Sequence, residues 1–308
     1  MDSAYHVPVL GQEVADCLIH KTDGIYLDGT LGGGGHAEII LNRLERKAHY
    51  LGVDRDIEAI NVSNKRLEGF SNFSSYQTTF EQLEPVLKRA SVSLLDGIFL
   101  DLGVSSWQID NNERGFSFRQ GLSLDMRMNS SQELTAEWIL NNYSKENLKI
   151  IFKEYGEERF AGKIAYRVVK AREEKRIDKT TELLKIIDRC VNPRFATKSY
   201  ARIFQALRIE VNNELEILKQ TLDESKNYLA KKGRLAVITY HSLEDRIVKN
   251  FMKNAENPCT CPPEFPVCVC GKKQIFKRLK PHFILPSQEE IDKNPRSRSA
   301  KLRVAIRV

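Results

Sequence analysis

Four consecutive glycines, Gly32 to Gly35, sit inside the stretch Asp28-Gly29-Thr30-Leu31-Gly32-Gly33-Gly34-Gly35-His36. An apolar run, Ile25-Tyr26-Leu27, precedes it and reads as a buried strand. Ala37 to Leu44 follows it with apolar residues at helical spacing. Strand, glycine loop and helix open a nucleotide-binding α/β unit, in which glycines let the backbone approach a ligand closely. No Lys-Ser/Thr pair closes the loop, so it is not a phosphate-binding P-loop. A flexible turn is the competing reading, and the rest of the chain has to decide between them.

Ala48 to Asp54 reads as a second strand ending on an acid, 19 residues beyond Gly35. An acid there is placed to accept both hydroxyls of a ribose. The competing role for Asp54 is to cap the helix predicted over 57–70. Ser75 to Thr79 reads as a third strand, with Phe80 directly after it. Helix is expected over 81–90, and Gly97 to Asp101 is a strong fourth strand. A fifth, Arg234 to Thr239, follows a turn at Lys232-Gly233 and leads into Tyr240-His241-Ser242. Strands alternating with helices at this spacing predict an α/β fold with a doubly wound parallel sheet. Ligands of such sheets lie beyond the carboxyl ends of the strands, where Asp28, Asp54 and Asp101 would converge.

A loop of Ser, Asn, Gly, Arg and Met runs over about 103–133, and from Thr135 to about Val211 the strand signals vanish. The expected organisation is a cofactor-binding domain, 1–108 with 212–308, interrupted by a mostly helical, basic substrate-recognition subdomain, 109–211. The net charge of +7 is uneven. Residues 151–210 carry 15 Lys/Arg against 9 Asp/Glu, and residues 271–308 carry 11 against 3, leaving the remainder acidic. Two basic segments on an acidic body favour a polyanionic partner such as nucleic acid. Arg159, Lys163, Arg167 and Lys170 fall on one helix face beside an apolar stripe of Phe160, Ile164, Val168 and Ala171. That is the pattern of a backbone-tracking surface, and equally of an ordinary amphipathic helix. No apolar run approaches a membrane span and no signal segment opens the chain, so a cytoplasmic enzyme with no membrane partner is expected.

The loop, the ribose acid and an acid ending strand 4 suit a dinucleotide or S-adenosylmethionine. Asp28 would repel a pyrophosphate and no G-x-G-x-x-G fingerprint is present, which favours S-adenosylmethionine. The chain resembles the bacterial 16S rRNA cytosine-N4-methyltransferase family. The matching strings are HVPVL at 6–10, DGTLGGGGH at 28–36, GVDRD at 52–56, DLGVSSWQID at 101–110 and RGFSFRQGLSLDMRMN at 114–129. YGEERFAGKIA at 155–165, RIFQALRIEVN at 202–212, TYHSLEDRIVK at 239–249 and NPRSRSAKLR at 294–303 match as well. The resemblance implies a Rossmann-like methyltransferase sheet and methyl transfer to N4 of a cytosine in the decoding region of 16S rRNA, within the small ribosomal subunit. It carries cofactor contacts onto Gly34, Gly35, His36, Asp54, Phe80, Asp101 and Gln108. A homodimer is a further partner expectation.

The chemistry demands little of the protein. A cytosine amine shares its lone pair with the ring, so an acceptor for its N–H and in-line positioning supply most of the catalysis. Asp101 is the first candidate acceptor, with Ser105 or Ser106 as alternatives; the competing role for Asp101 is only to orient the cofactor. Aminomethyltransferases with a Pro-Pro-aromatic motif at this strand end are not matched, since Leu102-Gly103-Val104 follows Asp101. Trp107 or Phe116 could stack a flipped base or belong to the core. His241 could shuttle a proton, contact RNA or hold the strand ends together. A carbon-5 methyltransferase would need a cysteine nucleophile, and Pro258-Cys259 lies far from the other motifs. Cys259, Cys261, Cys268 and Cys270 form a cluster that suggests a metal hairpin more than disulfides, with reduced surface thiols as the alternative. No metal is assigned to the chemistry.

Overall fold

Among the described residues, seven strands form one sheet whose central members are apolar nearly end to end, as strands buried on both faces must be. The structure is a computed structural model and describes residues 8–104, 114–262, 267 and 269–308. Strands β1 (Ile25–Asp28), β2 (His49–Asp54), β3 (Phe73–Gln77), β4 (Leu95–Asp101) and β5 (Leu229–Thr239) are parallel. Strands β6 (Phe276–Arg278) and β7 (Lys301–Arg307) close one edge, β7 antiparallel to β5 and β6 antiparallel to β7. The order is β3-β2-β1-β4-β5-β7-β6. The chain winds outward from β1 in one direction and from β4 in the other, so the topological switch lies between them.

Alternate residues of each strand build two cores. Tyr26, Tyr50, Phe99, Ala236, Ile238 and Leu302 pack with helices α1 (Gly11–Leu18) and α2 (Gly35–Leu41) and with Ile60 of α3 (Ile57–Arg66). Leu27, Leu51, Val53, Ile98, Leu100, Leu235 and Val237 face the opposite side, where α4 (Leu83–Arg89) supplies Val86 and Leu87. Each fully buried Leu or Ile contributes about 1.5–3 kcal/mol, so either layer fixes the register.

The chain divides into two compact units, Met1–Gly103 with Leu215–Val308, and Val104–Glu214. The second has its own core, contributed by α5 (Ala136–Asn142), α6 (Lys145–Glu154), α7 (Ala161–Glu174), α8 (Thr180–Asp188) and α9 (Ala196–Asn212). Its leading segment, 114–133, is organised by polar side chains: Asn212 accepts from the Met128 N–H at 2.8 Å and donates to the Met126 carbonyl at 2.8 Å. Arg127 forks onto Asp125 at 2.9 and 2.7 Å and donates to the Ser130 and Gln132 carbonyls.

Local differences from the expectations have identifiable causes. β3 starts and ends two residues early, because Thr78 and Thr79 turn the chain toward Phe80. The Lys232-Gly233 turn lies inside β5 as a bulge: Lys232 has φ +70°, and the register jumps between the Leu95–Leu229 and Gly97–Arg234 pairs. Phe160 does not join the α7 stripe; it precedes the helix at 43% exposure, and Ala161 and Ala165 are buried beside Ile164 and Val168 instead. Helices α10 (Glu214–Tyr228), α11 (Ser242–Glu256) and α12 (Gln288–Lys293) complete the described α-helices.

Candidate functional site

The glycine loop is stitched to both neighbouring strands. The Gly29 N–H donates to the Phe99 carbonyl of β4 and the Leu31 N–H to the Val53 carbonyl of β2, each at 2.9 Å. Gly32 and Gly34 have φ of +51° and +77°, the region only glycine enters without strain. The next constraint is packing. A β-carbon at Gly34 would meet Ser63 and Leu67 at 3.2 Å, and one at Gly35 would meet Pro8 at 2.8 Å. At Gly32 it would meet nothing nearer than the Thr30 carbonyl at 3.9 Å, so this is the open side of the loop. The loop is therefore held in a defined shape by its neighbours and is not a flexible turn.

Three acids surround it. Asp28 is buried; its carboxylate accepts the Thr30 N–H at 2.9 Å and the Tyr50 hydroxyl at 3.1 Å. Burial pushes this carboxyl up to about 6, against the pull of the Thr30 N–H, His36 and the Tyr50 hydroxyl. Asp54 accepts the Gly32 N–H at 2.8 Å on one oxygen and the Asp56 N–H at 2.9 Å on the other. Burial pushes its carboxyl up as well, partly offset by those two N–H groups. Capping of α3 falls to Asp56, whose carboxylate accepts from the Glu58 N–H at 3.1 Å, so Asp54 is not the helix cap. Each Asp54 oxygen keeps acceptor capacity for a further donor.

Asp101 ends β4. Its N–H donates to Thr30 Oγ1 at 2.6 Å and its Oδ1 accepts the Tyr240 hydroxyl at 2.8 Å. Its Oδ2 lies 3.6 Å from His36 Nδ1. The other His36 nitrogen, Nε2, is 2.9 Å from the Val9 carbonyl, which can only accept, so Nε2 carries the proton. Burial lowers the His36 pKa, against the Val9 carbonyl and Asp28. His36 thus presents Nδ1 to the Asp101 carboxylate and Nε2 to the Val9 carbonyl. Phe80 is buried against the loop: a β-carbon at Gly29 would meet it at 2.8 Å. The Arg55 guanidinium lies 5.8 Å from its ring centre.

Gly34, Gly35, His36, Asp54, Phe80 and Asp101 therefore gather at one end of the sheet, around the switch point. Gln108, Ser105, Ser106 and Trp107 lie outside the described residues. Phe116 packs against the helical core of the second unit. His241 is the N-cap of α11: its Nδ1 accepts the Glu244 N–H at 3.5 Å and its Nε2 is 2.9 Å from Glu244 Oε1. Two participants escaped the sequence reading. Thr30 ties the loop to Asp101, and Tyr240 holds the Asp101 carboxylate. A hydroxyl two residues after Asp28 and a tyrosine at the carboxyl end of β5 were the available signals.

The sheet order and the acid-lined glycine loop define a Rossmann-like methyltransferase domain. The family model described as the MraW methylase family matches residues 3–308, and the chain belongs to that family. It is 47% identical over 305 residues to a ribosomal RNA small subunit methyltransferase H of Clostridium botulinum (strain 657 / Type Ba4), covering 98% of this chain and 99% of that protein. It is 45% identical over 304 residues to the protein of that name from Caldicellulosiruptor bescii, with the same coverage. Among solved structures, an rRNA methylase from Streptococcus thermophilus aligns over 97% of this chain and 93% of its own, at 10% identity and a TM-score of 0.43.

Proposed function

We propose that this chain methylates the exocyclic N4 of a cytosine in the decoding region of 16S rRNA, within the small ribosomal subunit, using S-adenosylmethionine. The observation that carries the reading is the placement of Asp54 and Asp101 on either side of a glycine loop that hydrogen-bonds to both. The donor set fits the cofactor. From Asp28 to Asn42 the chain itself carries no Lys or Arg; the nearest guanidinium described at the loop is that of Arg66, beside Gly35. Asp54 and Asp101 supply carboxylates for hydroxyls and a positively charged ligand instead, while buried Asp28 shapes the loop from within.

Bound there, S-adenosylmethionine supplies an activated methyl group on a sulfonium. Asp54 accepts the ribose hydroxyls, Phe80 flanks the adenine, and Gly34, Gly35 and His36 line the amino-acid end. Gln108 is proposed to complete the contacts from its place after β4. Asp101 accepts an N–H, of the cofactor ammonium or of the cytosine amine, while Tyr240 and Thr30 hold it in place. An accepted N–H localises the amine lone pair toward the methyl group. Ser105 remains a second candidate acceptor. His241 supports this end of the sheet through its cap. The basic segments supply the surface for the RNA, and the names of the two relatives favour small-subunit ribosomal RNA as the substrate.

Mass spectrometry of rRNA nucleosides tests the proposal. A deletion strain should lack N4-methylated cytidine at one decoding-region position. The wild-type gene should restore it, and Asp101→Ala should restore less than about a hundredth of the wild-type rate, as loss of a key transition-state acceptor does. N4-methylcytidine persisting without the protein would refute the substrate. Full activity of the Asp101→Ala enzyme would refute the site.

A further inference from the structure

In the segment between α11 and β6, the described apolar side chains either sit at its base, as Ile275 does, or face outward. Its base is closed by the Ile275 N–H donating to the Ala255 carbonyl at 2.8 Å and by Arg278 donating to Glu256 at 2.7 Å. Beyond that base the described apolar side chains face outward: Val267 and Val269 are each 71% exposed.

Three thiols converge there. The Sγ atoms of Cys259, Cys261 and Cys270 all lie within 4.8 Å of one another, and none is in a disulfide. Zinc–thiolate bonds of about 2.3 Å in a tetrahedron put sulfurs about 3.8 Å apart, so small side-chain adjustments bring all three onto one ion. Two backbone features point the same way. The Val269 N–H is directed at Cys261 Sγ at 3.4 Å, an arrangement that stabilises a metal-bound thiolate. Gly271 follows Cys270 with φ +66°, with nothing within 4 Å of where its β-carbon would stand. The chain can therefore reverse immediately after the ligand.

We propose that Cys259, Cys261 and Cys270 bind one structural Zn(II) that staples the segment between α11 and β6. Cys268, the remaining thiol of the cluster in the sequence, lies outside the described residues. The ion takes no part in methyl transfer. Binding zinc displaces one proton from each thiol that enters as thiolate, and no oxidant or reductant is involved.

The test uses the full chain, purified with reductant and zinc, and its elemental analysis. About one zinc per chain is expected in the wild type and in Cys17→Ser/Cys190→Ser, against less than about a tenth in Cys259→Ser/Cys261→Ser. Cobalt(II) should give thiolate-to-cobalt charge-transfer absorption in the wild type and lose it in the latter variant. Trypsin provides a readout independent of variant folding. Chelator treatment of the wild type should open cleavage at Lys272 and Lys273 while the sheet resists, and added zinc should close it. A wild type that holds no zinc and gives no charge-transfer band overturns the proposal, as does zinc retained after both substitutions.

Discussion

Asp28 combines two roles that pull in opposite directions. It must sit in the interior to accept the Thr30 N–H that shapes the loop, yet burial disfavours its charge and pushes its carboxyl up to about 6. An unfolded aspartate titrates near 3.9, roughly, so the folded state holds this proton more tightly. Between those two values the unfolded state binds fewer protons. The stability contributed by protonated Asp28 is complete below about pH 4 and is lost as pH rises toward and through about 6. A shift of about two units corresponds to about 3 kcal/mol. An asparagine side chain in its place could still accept from Thr30 and donate to the Tyr50 oxygen, without ionising. Urea unfolding of the wild type and of Asp28→Asn should therefore diverge by about 3 kcal/mol in favour of the variant between about pH 4 and about pH 7. The neighbouring His36, Tyr50, Asp54 and Asp101 are present in both proteins and largely cancel in the difference. A pH-independent difference would mean that Asp28 stays ionised. Reading Asp28 as an acid hostile to pyrophosphate needed only its position in the chain. Its burial could not be read there, because the Tyr50 hydroxyl and the Thr30 N–H that make it tolerable come together only in the fold.

At the level of elements, β7 shows how a tail of charged residues becomes an interior strand. Lys301 to Arg307 alternates apolar and basic residues, which reads as a strand with one wet face. The strand lies between β5 and β6, and Arg303 is only 6% exposed. Its guanidinium donates to Asp245 of α11 at 2.7 and 3.2 Å and to the His282 carbonyl at 3.0 Å. Burial alone would raise the Asp245 carboxyl; Arg303 and Lys301 outweigh it and hold the carboxyl below the usual range. The contribution of the pair is thus present above about pH 4 and lost as pH falls below it. Arg303→Met should cost about 3 kcal/mol in chemical denaturation at about pH 7, because it strands Asp245 beside an apolar side chain. Adding Asp245→Asn should return much of that loss, and a purely additive double variant would show the two residues to be uncoupled. The same region explains what periodicity missed. β6 is three residues long and α12 six, too short for either period to register, and both depend on β7 or the Ser287 cap for their partners.

For the whole molecule, the parallel strands and their order of use were legible because most are apolar runs closed by an acid or a turn. The placement of Asp28, Asp54 and Asp101 at neighbouring strand ends followed from that, but Asp28 does not face outward with the other two; it is buried and accepts the Tyr50 hydroxyl. The tie from Asp101 to Tyr240 did not, since it joins residues 139 positions apart. The distribution of charge was legible as a total and misleading in detail. Of the four cations expected on one helix face over 159–170, Arg159 lies in the turn before α7, Lys163 donates to the Cys190 carbonyl at 3.0 Å and Lys170 pairs with Glu173 at 2.8 Å. Lys163 is therefore partly committed to the fold, and Lys170 to a surface pair worth little by itself. Arg167 on α7 and Arg159 just before it are exposed cations. If that face tracks an RNA backbone, each contact releases counterions, and the salt dependence counts them. Filter binding of 16S rRNA between about 50 and 200 mM salt should give a linear fall of log affinity with log salt. Arg159→Ala/Arg167→Ala should flatten that slope by about 0.7 to 0.9 per lost contact. Affinity for S-adenosylmethionine should stay unchanged, since neither arginine belongs to the acid-lined loop. An unchanged slope would move the RNA surface off α7 and onto the other basic segment, 271–308, where the same substitution scheme applied to Lys272 and Lys273 should then produce the effect.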